Sequence, residues 1–262
     1  MTEPHPKLLE LLEGASDILV FTGAGISTAS GIPDFRGPRG IWKTRRPVYY
    51  QDFMTSERAR VEAWEFKLEG WEQFRGARPT PTHEAIVELE RAGKLLMVVT
   101  QNIDGLHGKA GTSGDKLIEI HGTNSEIECQ TCGERSDPEP HFDFFRETGR
   151  PPACPCGGFL KSATISFGQD LVAADLRRAA EMAARADLAV ALGSTLGVYP
   201  AASIPLMAAE RGAPYVIVNR GETDQDAHPG VTLRLDGSVD ELFAPACREA
   251  CRQPRQTDRK SK

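Results

Sequence analysis

The stretch Ile18-Leu19-Val20-Phe21-Thr22-Gly23-Ala24-Gly25-Ile26-Ser27 is an apolar run, rich in branched and aromatic side chains, that passes without a break into small residues. A run that is continuously apolar rather than alternating is the pattern of a parallel strand covered on both faces. Working outward, the same pattern recurs at 95–101, 188–192 and 215–219, and more weakly at 231–235. Segments of helical periodicity lie between these runs, at 7–13, 57–74, 82–92, 173–186, 201–211 and 239–251. Strands alternating with helices imply right-handed crossovers. The expected fold class is therefore α/β, a Rossmann-type parallel sheet with helices on both faces.

Two stretches interrupt the alternation. Residues 38–53 are rich in Arg, Tyr, Gly and Pro and, with the helix that follows, read as an excursion above the sheet. Residues 126–162 carry Cys129-x-x-Cys132 and Cys154-x-Cys156, with several prolines and glycines, and are too short to bury a core alone. The expected organisation is a sheet domain at 1–40, 80–125 and 163–252, a helical and loop module at 41–79, a metal-held insert at 126–162, and a polar, frayed tail at 253–262.

The chain of 262 residues has a formal net charge of −6, which gives no electrostatic footprint for a nucleic-acid or polybasic membrane binder. No apolar run approaches the roughly 20 residues of a membrane span. Met1-Thr2-Glu3-Pro4-His5-Pro6 lacks the basic start and apolar stretch of a secretory signal, so a cytoplasmic location is expected, with a monomer as the default state.

Each of four strand-like runs ends directly in a small or amide-bearing cluster: Gly23-Ala24-Gly25-Ile26-Ser27, Gln101-Asn102-Ile103-Asp104, Gly193-Ser194-Thr195, and Asn219. In a parallel sheet these clusters emerge at one edge, where open α/β sheets bind ligands. Gly23-Ala24-Gly25 begins a dinucleotide-binding pattern in which glycine amides approach pyrophosphate, but the third glycine and the ribose-binding acid are absent. An ordinary strand-to-helix turn is the competing reading. Downstream, Asp34-Phe35-Arg36 sets a carboxylate, a ring and a guanidinium in a Gly/Pro loop, suited to phosphate or ribose and a flat ring; an incidental surface loop is the alternative.

Two histidines follow the second strand, His107 and His121. An imidazole that titrates near neutrality takes a proton from a sugar hydroxyl if it faces the crevice, and otherwise it is a structural group in a turn. His121, between a short apolar run and Gly122, is favoured over His107. The four clustered cysteines suit tetrahedral Zn²⁺ with a closed sulfur shell, hence a structural metal, with redox thiols as the alternative and His141 as a reserve ligand. Cys247 and Cys251, at i and i+4 on the last helix, read as packing residues.

Taken in order, Gly23-Ala24-Gly25-Ile26-Ser27, Gly31-Ile32-Pro33-Asp34-Phe35-Arg36, Gln101-Asn102-Ile103-Asp104-Gly105-Leu106-His107, His121-Gly122, the paired cysteines, Ser166-Phe167-Gly168, Gly193-Ser194-Thr195-Leu196 and Ile217-Val218-Asn219 resemble the sirtuins, the NAD-dependent protein deacylases. The likeness runs from about Asp17 to Leu242. It implies that the insert is a zinc ribbon held by Cys129, Cys132, Cys154 and Cys156, and that NAD, consumed as a co-substrate, meets an acyl-lysine peptide between the two domains. It implies cofactor contacts from Gly23, Ala24, Gly25, Ser27, Ile32, Asp34, Phe35, Arg36 and Trp42, and from Gln101, Ile103 and Asp104. Gly193, Ser194, Thr195, Asn219 and Val239 would meet the adenosine half. His121 and Asn102 match the catalytic positions. Phe167, Gly168, Gln169 and Val198 match segments between which the peptide pairs as a strand.

The implied products are nicotinamide, deacylated lysine and 2′-O-acyl-ADP-ribose. Sirtuins that remove succinyl or malonyl groups carry a Tyr and, three positions later, an Arg over the acyl pocket. The matching stretch here is Trp64-Glu65-Phe66-Lys67-Leu68-Glu69-Gly70-Trp71, which implies a neutral acyl group, acetyl first. Residues 31–42 and 78–83 look more like a chromatin-associated branch, which keeps open long-chain deacylation and protein mono-ADP-ribosyl transfer. A non-catalytic NAD-sensing interaction module is the alternative of another class.

Overall fold

β1 (Ile18–Thr22) lies inside a six-stranded, wholly parallel sheet whose other members are β2 (Leu95–Thr100), β3 (Leu117–Glu119), β7 (Leu188–Leu192), β8 (Tyr215–Asn219) and β9 (Val231–Asp236). This is a computed structural model, and it describes residues 3–37 and 40–252. The strand order is β3-β2-β1-β7-β8-β9. From β1 the chain builds outward through β2 and β3 on one side, then returns to build β7, β8 and β9 on the other. The direction of winding therefore reverses between β1 and β7, and a crevice opens there at the carboxyl ends of the strands. Thr22 pairs with Thr100 on one side and Leu192 on the other, and Leu192 pairs with Val218, so the strand ends stand level.

Alternate residues of each strand face opposite layers. On one face Ile18, Val20, Val98, Val190 and Val216 pack against α1 (Pro6–Gly14), α4 (Pro81–Arg91) and α9 (Val239–Arg252), through Leu8, Leu12, Ile86, Leu89 and Phe243. On the other, Leu19, Phe21, Val99, Ala191 and Ile217 meet α7 (Ala173–Arg185) and α8 (Ser203–Glu210), through Ala179, Ala183, Ile204 and Ala208. The expected strands and helices are all present with ends shifted by at most two residues, and a short α5 (Leu106–Ala110) joins them. Cys247 packs in this core with its thiol donating to the Ala85 carbonyl at 3.1 Å, as its spacing suggested.

The two interruptions form one small lobe. β4 (Gly122–Cys129) is the middle of an antiparallel sheet ordered β5-β4-β6, with β5 (Arg135–Ser136) and β6 (Leu160–Thr164) at its sides and α6 (Pro138–Thr148) over it. This sheet spans 122–164, slightly more than the expected insert. After α2 (Tyr50–Thr55), the long α3 (Glu57–Gly76) lays Val61, Trp64, Leu68 and Trp71 on Ile127, Phe142, Phe145 and Leu160, so the excursion and the insert share one core. The stripe follows helical spacing. The Trp64 indole N–H donates to the Leu160 carbonyl at 3.1 Å, fixing the helix on the sheet. The tail at 253–262 lies outside the described residues.

Candidate active site

A crevice of about 1570 Å³ runs along the carboxyl rim of the parallel sheet and under the small lobe. Gly23, Ala24, Gly25, Ser27, Ile32, Asp34, Phe35, Arg36, Trp42, Gln101, Asn102, Ile103, Asp104 and His121 line it. So do Phe167, Gly168, Gln169, Gly193, Ser194, Thr195, Val198, Asn219 and Val239. The fold thus brings together every co-substrate, peptide and catalytic position expected from the sequence.

The strand ends are tied to one another by buried polar groups. Ser27 Oγ donates to Asp104 Oδ2 at 2.6 Å, and the Leu106 amide donates to Asp104 Oδ1 at 2.9 Å. Asn102 Nδ2 donates to the Gly23 carbonyl at 3.1 Å and to Ser27 Oγ at 3.2 Å. Gln101 Nε2 donates to Ser194 Oγ at 2.8 Å, joining the β2 and β7 ends across β1. A buried polar set satisfied in this way is rigid.

The glycines do something other than expected. The Gly23 amide donates to the Leu192 carbonyl at 3.0 Å and the Gly25 amide to the Gly193 carbonyl at 2.8 Å, so these two N–H groups are not offered to a pyrophosphate. A Cβ on Gly25 would stand 2.7 Å from Gly193 Cα, and Gly193 itself has φ +61. Glycine is required because the loops after β1 and β7 touch backbone to backbone.

His121 follows β3. Its Nδ1 meets the Gln101 carbonyl at 3.1 Å; an acceptor there fixes the proton on Nδ1 and leaves Nε2 with a free lone pair. Burial pushes its pKa below the ordinary histidine value; the carbonyl contact opposes the shift and the Arg36 charge adds to it. His121 is therefore a neutral acceptor at neutral pH. His107 is a different kind of residue. It is fully enclosed, its Nε2 lies 3.0 Å from Thr22 Oγ1, and its ring sits 4.8 Å from that of His83, outside the crevice lining. The structural reading holds for His107.

Facing His121, the loop after β1 and the small lobe supply an aromatic wall. Phe35 stacks on Trp42 at 5.3 Å, Trp42 lies 5.9 Å from both Phe66 and Phe167, and the Arg36 guanidinium sits 5.9 Å from the Phe167 ring. Desolvation lowers the Arg36 pKa, with Asp224 opposing. Asp34 Oδ1 accepts from the Gly37 amide at 2.7 Å and so shapes its own loop. The Phe167 carbonyl already accepts from the Tyr50 amide at 2.9 Å, and the Gly168 carbonyl from Gln51 Nε2 at 3.2 Å. Phe66, Lys67 and Ser166 also line the crevice; the sequence placed them in the acyl-pocket helix and the 166–168 motif without assigning them a contact. The seven-residue spacing of Trp64 and Trp71, which turns their face of α3 into the small lobe, was the available signal for which side of the helix Phe66 occupies.

Away from the crevice, the sulfurs of Cys129, Cys132, Cys154 and Cys156 lie within 4.8 Å of one another, with Cys129 to Cys156 at 3.5 Å and Cys132 to Cys154 at 3.8 Å. Four sulfurs each about 2.3 Å from a tetrahedral Zn²⁺ are roughly 3.8 Å apart, so the set fits that ion. His141 is not among them, and its Nε2 meets Ser136 Oγ at 2.8 Å. Among the described residues no helix is long and apolar enough to cross a membrane.

Comparison with known proteins agrees with this geometry. The family model described as Sir2 family matches residues 23–200. An NAD-dependent protein deacetylase of Rhodopseudomonas palustris is 42% identical over 240 residues, covering 91% of this chain and 94% of the relative. A solved Sir2 variant with deacetylated p53 peptide and 3′-O-acetyl ADP ribose superposes with a TM-score of 0.85 at 38% identity, covering 94% of this chain and 98% of that one. A Sir2 complex with p53 peptide and NAD+ gives a TM-score of 0.83 at 36% identity, covering 93% and 97%. The match of the family model and the extent of the likeness to these relatives show that the chain belongs to the Sir2 family, the sirtuins.

Proposed function

We propose that the protein is an NAD-dependent protein-lysine deacetylase, converting NAD, water and an acetyl-lysine peptide to nicotinamide, the deacetylated lysine peptide and 2′-O-acetyl-ADP-ribose. The observation that carries this reading is His121, with Nδ1 committed to the Gln101 carbonyl and Nε2 open to a crevice rimmed by four strand ends. The likeness to Sir2 structures with NAD+, peptide and acetylated product supports it.

In this reading Gly193, Ser194, Thr195, Asn219 and Val239 receive the adenosine half of NAD. Ala24, Ser27, Arg36, Gln101 and Asp104 hold the ribose and carboxamide beside the anomeric carbon. The peptide enters at Phe167, Gly168, Gln169 and Val198, and the aromatic wall keeps water from the reacting centre. The acyl oxygen displaces nicotinamide, and His121 Nε2 takes the proton of the ribose hydroxyl that then attacks the acyl carbon. Asn102, buried beside Ser27, orients the water that completes the transfer. Cys129, Cys132, Cys154 and Cys156 would hold a structural Zn²⁺, which would cross-link the two turns of the small lobe. Thiolates kept reduced for metal suit the cytoplasm.

Purified protein is expected to release nicotinamide only when an acyl-lysine peptide is present, with acetyl-ADP-ribose appearing by mass spectrometry. His121→Ala is expected to lower kcat/KM by about 10²–10⁴-fold with zinc content and circular dichroism unchanged. Labelled adenylate that stays on protein would instead identify a mono-ADP-ribosyltransferase. Calorimetric NAD binding without turnover on any acyl peptide would identify a sensing module.

A further inference from the structure

The loop that leaves β8 at Asn219 is held from behind by one side chain of the edge strand β9. Arg234 stands opposite Ile217 in the sheet and does not line the crevice. Its Nε donates to Asp226 Oδ1 at 2.6 Å, its Nη1 to the carbonyl oxygens of Asn219, at 3.1 Å, and of Leu235, and its Nη2 to the Gly221 carbonyl. Four of the five guanidinium N–H donors are thereby committed. Asp226 is fastened in turn. Thr223 Oγ1 donates to its Oδ1 at 2.6 Å and the Thr223 amide to its Oδ2 at 3.1 Å. Burial alone would raise the Asp226 pKa, but the hydrogen bonds from Thr223 and Arg234 outweigh it and hold the carboxylate below its ordinary value.

What this brace holds is one end of the crevice, where Asn219, Arg220, Gly237 and Ser238 are part of the lining. Asn219 Nδ2 donates to the carbonyls of Arg220, at 3.2 Å, and Gly221, at 3.1 Å, so the setting of its side chain depends on where Gly221 is kept. Gly221 is gripped from both sides, its amide by Asp236 Oδ1 at 2.8 Å and its carbonyl by Arg234. The Asn219 carbonyl is shared in the same way, between Arg234 and the Gly237 amide at 3.1 Å. Farther along, the Asp224 amide donates to the Thr195 carbonyl at 3.0 Å, which ties the loop to the rim after β7. A lysine would not reproduce this, because an ammonium is a point charge whereas these acceptors are spread around a planar fork.

We infer that Arg234 is a positioning residue for NAD: without touching the co-substrate, it sets Asn219 and the 221–226 loop where the adenosine half is received. This rests on the deacetylase reading for the place of the adenosine and adds to it a residue outside the crevice. Without the guanidinium, the Asn219 and Gly221 carbonyls lose a donor and the Asp226 carboxylate loses its counter-charge. The loop then spends less time in the arrangement that receives NAD, and part of the binding free energy goes into ordering it. The adenosine half is remote from the reacting carbon, so the loss is felt equally in the ground and transition states; it raises KM for NAD and spares kcat.

The test uses the full chain, with ADP-ribose binding read by calorimetry and initial rates measured with NAD and an acetyl-lysine peptide varied in turn. Arg234→Met and Arg234→Lys are each expected to weaken ADP-ribose binding and raise the KM for NAD by about tenfold, the size of a lost hydrogen bond to a charged group. At saturating NAD, kcat and the KM for the peptide are expected to stay within about twofold of the wild type. Asp226→Asn removes the counter-charge but keeps an acceptor oxygen, and is expected to weaken ADP-ribose by a smaller factor, about threefold; it carries the test if the Arg234 variants fail to fold. Wild-type affinity in Arg234→Lys would show that charge alone suffices and overturns the forked brace. Unchanged ADP-ribose affinity in whichever variants fold, a loss of activity that follows the folded fraction with KM for NAD untouched, or no ADP-ribose binding by the wild type overturns the positioning role. Absence of nicotinamide release from the wild-type protein with acetyl peptide, while ADP-ribose affinity still answers to Arg234, overturns the deacetylase reading instead.

Discussion

β1, β2, β7 and β8 of the parallel sheet are buried at every residue, whereas β4 of the small sheet buries only Thr123, Ile127 and Cys129 and β5 is exposed at both of its residues. The larger sheet has a helical layer on each face, so these four strands, covered on both sides, are held by apolar surface alone. The small lobe has Ile127, Leu160, two tryptophans and two phenylalanines around one short sheet, and the cysteine turns close it from the far end. The first region is held by area and the second by a cross-link. The crevice lies where the two meet, so each contributes one wall of very different robustness.

Removing the metal is the strongest way to break this contrast. Zinc binding in small metal-held domains is worth on the order of 10 kcal/mol, and Cys154→Ser, or chelation of the wild-type protein, is expected to unfold the small lobe while the parallel sheet remains. Trp64 and Trp71 both sit in the small core, so their fluorescence should shift to that of exposed indole while far-UV circular dichroism keeps most of its helical signal. Deacetylation should stop although His121 is untouched, because Phe66 and Phe167 lose the frame that sets them beside Trp42. Coincident loss of both signals would show instead that the lobes fold as one unit.

The converse experiment tests the larger sheet. Phe243 is completely buried in the layer formed by α1, α4 and α9. Phe243→Ala is expected to cost about 3–5 kcal/mol, measured as a shift in urea midpoint at unchanged slope, and to leave zinc content unaltered. Phe243 does not itself line the crevice but sits one helical turn from Val239, which does, so activity should fall with the folded fraction and NAD affinity should change only slightly.

The same contrast explains what was legible in the sequence. Continuous runs such as 18–22 and 188–192 betrayed their strands because a strand covered on both faces has to be apolar throughout, and the polar clusters after them betrayed the crevice. The Cys pairs betrayed the metal lobe through ligand spacing. What stayed hidden depends on contacts distant in sequence. α6 lies in a stretch dominated by Pro138, Pro140, Gly149 and Pro151, and its apolar Phe142 and Phe145 find their partner only in Trp64 and Trp71 of another segment. Residues 167–168, expected as a pairing edge, already give both carbonyls to Tyr50 and Gln51. Gly23 and Gly25 were read for phosphate because the motif does not reveal that Gly193 presses against them.

A smaller effect separates the regions by acid. In the larger lobe His83 and His107 are enclosed side by side, and burial drives His83 down to about 4, with Asp104 and Asp240 opposing; burial and the His83 charge push His107 down as well. The unfolded chain binds protons on these imidazoles from about pH 6.5 downward while the folded chain does not. Each therefore contributes stability that is complete at neutral pH and is lost as pH falls below 6.5, at no more than about 1.4 kcal/mol per pH unit. His83→Asn should reduce the slope of stability against pH between 6.5 and 5 by up to one proton, read from urea melts at several pH values, beyond any constant cost of the lost Thr80 cap. His141 in the small lobe is only partly enclosed; burial lowers its pKa too, with Asp137 opposing, but without the large shift of His83, so His141→Asn should reduce that slope by less than His83→Asn does. Equal slopes in His83→Asn and the wild type would mean that the His83 ring is already protonated in the folded state, held by Asp104 and Asp240, and that acid acts on the larger sheet by some other group.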